Sequence, residues 1–141
     1  MSISISAIKA KTDKKYEVTL NYPGVAGFEV TLRYTPNHVL TRIMERSEKI
    51  IMVNGRAQGR ESDVPKFCEA IAEEAMVSWE GLTVKKLADL ILVDLEGSGV
   101  EDLDAEVPFS LANAADLLKE CPAFMEFVTG SMTDIGNFRT I

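Results

Sequence analysis

Apolar and polar residues alternate through most of the first third of the chain. Ile3, Ile5 and Ala7 alternate with Ser2, Ser4 and Ser6; Tyr16, Val18, Leu20 and Tyr22 alternate with Glu17, Thr19 and Asn21. After a break at Pro23-Gly24-Val25-Ala26-Gly27, Phe28, Val30, Leu32 and Tyr34 alternate with Glu29, Thr31 and Arg33. A period of two predicts strands with one buried face, and a five-residue connection with Pro and Gly suits a hairpin loop. Residues 1–34 are expected to form a small three-stranded antiparallel sheet whose apolar face needs cover.

From Thr35 the period changes to three and four. Thr35-Pro36 predicts an N-cap followed by proline at the first helical position. The stripe Val39, Leu40, Ile43, Met44, Ser47, Ile50 and Ile51 predicts one helix ending at a polar loop from Asn54-Gly55 to Gly59-Arg60. Ser62 then caps a second helix with Pro65 in its first turn. Its stripe of Val64, Phe67, Cys68, Ile71, Ala72, Ala75, Met76 and Trp79 runs to Gly81. Residues 83–95 fit two descriptions, a helix capped by Thr83 with Val84, Leu87, Leu90 and Ile91 on one side, or an extended segment over Leu90 to Leu95. Gly97-Ser98-Gly99 and the acids up to Glu106 predict a surface loop. Ser110 caps a helix with Leu111, Ala114, Ala115, Leu117 and Leu118, and Cys121-Pro122 opens a last one with Phe124, Phe127, Val128, Met132 and Ile135. The expected fold is α+β: the sheet packed against a C-terminal region, residues 35–141, of four to five α-helices.

At 141 residues the chain reads as one domain. With 46% apolar and 26% charged residues it is too apolar for a disordered protein. No apolar run approaches the roughly 20 residues that span a bilayer, since Leu87 to Leu95 is cut by Asp89 and Asp94. Met1 to Ser6 lacks the basic-then-apolar order of a secretion signal. Cys68 and Cys121, without Cys-x-x-Cys spacing, suit buried reduced thiols in the cytosol.

Charge divides the chain. Residues 1–60 hold ten Lys and Arg against five acids, whereas residues 61–141 hold five against seventeen. The acidic part repels phosphates, and no aromatic-plus-basic motif supports nucleic-acid binding. Opposite ends of opposite sign suit head-to-tail self-association, in which basic residues of 1–60 meet Glu101, Asp102 and Asp104 of a second copy; a solvated surface without a partner is the plainer alternative.

Catalytic and metal chemistry finds few candidates. His38 is the only histidine and falls in a first helical turn, where a surface role is expected. No nucleophile–base–orienter set or His/Cys ligand set is visible. Counted as a calcium loop from Asp94, the chain places Gly99 at position 6 but Ala105 where the bidentate Glu belongs. Gly97-Ser98-Gly99 is followed by acids rather than a helix start, unlike a phosphate loop. No carboxylate pair stands out for hydrolysis. The expectation is a binding protein without cofactor, metal or catalytic residue.

The back half carries a specific order of elements: Val77-Ser78-Trp79-Glu80-Gly81-Leu82-Thr83, an acidic spacer, Glu106-Val107-Pro108-Phe109-Ser110, then Asn113-Ala114 and Leu117-Leu118. Cys121-Pro122-Ala123-Phe124-Met125-Glu126-Phe127-Val128 and a terminal Asn137-Phe138 complete it. Over residues 64–138 this order resembles the tail assembly chaperones of long-tailed bacteriophages and their prophages; the strand-rich front is a weaker match. The resemblance implies a protein of the bacterial host cytoplasm, absent from the mature virion, that shields the helical tape measure protein until tail tube protein replaces it. In many members a programmed ribosomal frameshift also appends a C-terminal extension to a fraction of the copies; this sequence, which ends at Arg139-Thr140-Ile141, does not include one. The runner-up is a structural tail or connector subunit retained in the virion. Shielding amphipathic helices needs an apolar groove, and aromatic side chains supply large area at low entropic cost. Phe109, Phe124, Phe127 and Phe138 are the candidate client-binding residues, with the groove expected on the last two helices; the plainer alternative is that most of these rings form the core of a helical domain. Phe138 is expected to swing outward after Gly136-Asn137, whereas Trp79 continues a helix stripe and is expected in the core.

Overall fold

A computed structural model of the chain describes residues 4–10 and 16–139. The first segment differs from expectation. Ile5–Ala10 is a short helix, α1, started by Ser4, whose hydroxyl accepts from the Ala7 N–H at 3.1 Å. A serine cap offers the backbone a local alternative to strand pairing, and none of the described strands pairs with this segment. Ile5 and Ile8 are exposed, and Ile3 lies outside the described residues. The next two segments are strands as expected: β1 (Glu17–Asn21) and β2 (Glu29–Arg33) pair antiparallel, with Asn21 opposite Glu29. Val30 and Leu32 are fully buried on one face. On the other, the Thr19 and Thr31 hydroxyls lie 2.8 Å apart and Arg33 lies 3.6 Å from Glu17.

Helix α2 (Asn37–Arg46) follows Pro36. Thr35 does not cap it; its hydroxyl donates to the Arg33 carbonyl (3.0 Å) and its N–H donates to the Met132 carbonyl (2.8 Å). The helix stops short of Ile50 and Ile51. Buried Ser47 donates its hydroxyl back to the Ile43 carbonyl at 2.7 Å, and the chain enters a hairpin of β3 (Glu48–Val53) and β4 (Arg56–Ser62). The expected polar loop is therefore a turn and a strand. Asn54 and Gly55, with φ of 53° and 77°, occupy the left-handed positions a two-residue hairpin turn requires, and the β-branched Ile50, Ile51 and Val53 favour strand over helix.

Asp63 rather than Ser62 caps α3 (Val64–Ala75), accepting from Lys66 N–H at 3.2 Å. The helix ends before Gly81 because Met76–Glu80 forms β5, which pairs antiparallel with β2, Trp79 opposite Val30 and Met76 opposite Leu32. The protein is α+β, with a three-stranded antiparallel sheet of order β1-β2-β5 and helices. Its third strand comes from the middle of the chain, not from residues 2–7. Thr83 caps α4 (Val84–Ile91), accepting from Lys86 N–H at 3.2 Å, so the helical description of that stretch holds. Ser110 caps α5 (Leu111–Glu120), and Pro122 opens α6 (Pro122–Thr133), which leads into a 3-10 turn at Ile135–Phe138.

Helices α3 and α5 pack on each other and α6 packs on β2, enclosing one cluster of buried side chains. Phe28 and Phe124 stack at its centre, ring centroids 6.0 Å apart, with Trp79 edge-on to both. Burial raises the Cys68 thiol and the Tyr22 hydroxyl above their usual pKa; Cys121 beside Tyr22 adds to the latter.

Candidate binding groove

Trp79 on β5 and the turn after it organise a concave surface. Leu82, buried just past Gly81, accepts from the Val107 N–H at 2.7 Å, and the chain from Leu103 to Val107 runs antiparallel to residues 82–85. Val84 N–H donates to the Ala105 carbonyl (2.9 Å) and Lys85 N–H to Leu103 (3.0 Å). The Trp79 indole N–H donates to the Val107 carbonyl at 2.8 Å, which satisfies its one polar atom and fixes the ring. Phe109 meets that ring edge-on at 5.2 Å.

This frame holds α4 across from α5 with a gap between them. Leu87, Leu90 and Ile91 line one side of α4, yet none of its residues is fully buried. The gap is a groove of about 150 Å³ floored by Trp79, Leu82, Leu87, Ile91, Val107 and Leu117. Asn113, Asp116 and Glu120 of α5 complete its lining. An apolar floor with an acidic edge suits an amphipathic helix: one or two large side chains enter the floor while basic residues meet the edge. Among the described residues no group of three His, Cys, Asp or Glu is placed to hold a metal ion, and no helix is long and apolar enough to cross a membrane.

The four expected client-binding phenylalanines are not brought together on a surface. Phe124 is fully buried, and Phe127 is half-buried against Tyr22 at 5.1 Å. Phe138 is 8% exposed, its ring 5.2 Å from Tyr34, so the outward swing expected after Gly136-Asn137 does not occur. The 3-10 turn folds it back instead: the Asp134 carboxylate accepts from Gly136 N–H (3.0 Å), and the Asn137 amide donates to the Ser131 carbonyl (3.2 Å). Phe138→Ala is accordingly expected to lower stability by about 3 kcal/mol, read as a fall in the urea midpoint; an unchanged midpoint would contradict this packing. Phe109 alone stands beside the groove, half-buried behind Trp79. Glu101, Asp102 and Asp104 are exposed on the loop after α4, where the Asp102 carboxylate accepts from Asp104 N–H at 3.0 Å. The groove residues Leu87 and Ile91 were visible in the sequence as a helical stripe, but their facing wall was not.

Comparison with family models, with curated proteins and with solved structures finds no match to this chain.

Proposed function

We propose that the chain is a phage tail assembly chaperone that holds amphipathic segments of the tape measure protein in the α4–α5 groove, by binding and without catalysis. The observation that carries this is the coincidence of two features. The order of elements over residues 64–138 resembles that chaperone family, and the groove is built entirely from residues within that stretch. Its half-buried α4 face leaves apolar surface for a client stripe. The protein acts in the host cytoplasm, gives way to tail tube protein as the tube assembles, and is absent from the finished virion.

Co-expression with the tape measure protein tests this. The wild type is expected to keep the client soluble and to co-purify with it. Leu87→Ser and Ile91→Ser, each on the groove floor, are expected to reduce capture at least tenfold, about 1.4 kcal/mol. Circular dichroism melting separates lost binding from lost fold. A wild type that captures no client overturns the proposal, as does capture unaffected by both variants. Recovery of the protein from purified virions favours instead the retained tail or connector subunit.

A further inference from the structure

Strand β4 and the tip of the β3–β4 hairpin lie open to solvent. Every residue of β4 is exposed, Met52 and Val53 at the tip are 58% and 48% exposed, and the strands pack chiefly on each other. At its base the Asp63 N–H donates to the Ser47 carbonyl at 2.6 Å, which joins the arm to the body. A two-stranded hairpin is marginal in water by itself, and exposed apolar residues on it favour a partner. Residues 52–60 contain Arg56 and Arg60 and no acid. Arg60 pairs with Glu48 at 3.5 Å, whereas Arg56, opposite Val53 next to the turn, has no ion pair among the described residues.

The α4–α5 groove is the complement of that tip. Its floor is apolar, its edge carries Asp116 and Glu120, and no lysine lines it. The exposed acids at 101, 102 and 104 add negative field on the loop leaving α4. We propose that the hairpin tip of one copy docks into the α4–α5 groove of a second copy, with Val53 on the floor and Arg56, its cross-strand neighbour on the same face, at Asp116 and Glu120. The occupant is a second copy because this chain carries both halves: an exposed apolar tip bearing a cation without an ion pair among the described residues, and an apolar groove of opposite charge. The contact is heterologous, so copies add head to tail. One arm buries little area, which makes the association weak, with a Kd on the order of micromolar or above. This rests on the groove being the client site, and it means that the client-free chaperone caps its own groove and the client displaces the arm.

Sedimentation velocity of the purified full-length chain, without client, tests the docking. The average sedimentation coefficient is expected to rise with protein concentration and to fall with added salt. Arg56→Glu is expected to weaken association at least tenfold, and so is the pair Asp116→Lys and Glu120→Lys. Combining all three restores attraction and is expected to bring association back to within about threefold of wild type. These side chains are exposed, and circular dichroism checks that each variant is folded. A monomer at every concentration, association indifferent to either reversal, or no recovery in the combined variant overturns the proposal. Client capture by Arg56→Glu keeps the two ideas distinguishable. With the competing arm weakened, the groove is expected to bind client at least twofold more tightly; no capture at all would fault the client site, whereas capture no tighter than wild type would fault the arm.

Discussion

Gly81→Ala is expected to abolish cooperative folding or to lower the melting temperature by at least about 10 °C. Gly81 has φ of +79°, a conformation L residues rarely adopt, and a Cβ there would land on the carbonyl oxygen of Gly27, well inside van der Waals contact. The obstacle is backbone, and Gly27 leads directly into Phe28 at the centre of the core, so relief would shift β2 against β5. Left-handed strain alone costs about 1–3 kcal/mol; with a backbone clash added, the total falls among the largest single-residue effects, above about 4 kcal/mol. Gly97→Ala supplies the control, since φ is +80° there and nothing lies within 4 Å of a new Cβ. It is expected to cost about 1 kcal/mol. Equal losses in the two variants would show that contact with Gly27 is not what matters.

Phe124→Ala carries the second large effect, about 3–5 kcal/mol, read as a drop in the urea midpoint with an unchanged slope. Its ring is fully buried and meets Tyr22, Phe28, Trp79 and Phe127 at centroid distances of 5.6, 6.0, 6.5 and 6.4 Å. It therefore joins α6 to β2 and β5 at once. Phe124→Leu keeps most of the volume and is expected to cost under about 1.5 kcal/mol. A loss below about 1 kcal/mol on truncation to alanine would contradict the placement of this ring at the centre of the core.

These two sites also show what could be read from the chain before its structure. The alternation through Val18 and Leu32, the caps at Thr83 and Ser110, and the Cys121-Pro122 junction are local signals, and local physics honours them. Residues 76–80 defeated the same logic. Met76 and Trp79 continue the stripe of α3 at helical spacing, and only the open edge of β2, far away in sequence, turns them into a strand. The hairpin had its own signal in Asn54-Gly55, which the apolar spacing through Ile50 and Ile51 masked. Phe138 looked free because Gly136 and Asn137 precede it; its burial depends on Tyr34, near the other end of the chain. The groove was half legible for a similar reason. Leu87 and Ile91 repeat at helical spacing, but Val107 reaches them only because residues 103–107 run beside residues 82–85.

Trp79 offers the most direct measurement of whether the groove takes the client, because it is the only tryptophan in the chain and forms part of the floor. Synthetic amphipathic segments of the tape measure protein, free of tryptophan, are titrated into the purified chain while indole emission is followed. Saturable change in Trp79 emission, lost in Leu87→Ser and Ile91→Ser, is the result expected if α4 and α5 hold the client. Binding detected calorimetrically with Trp79 emission unchanged, or no binding by any segment, would contradict it.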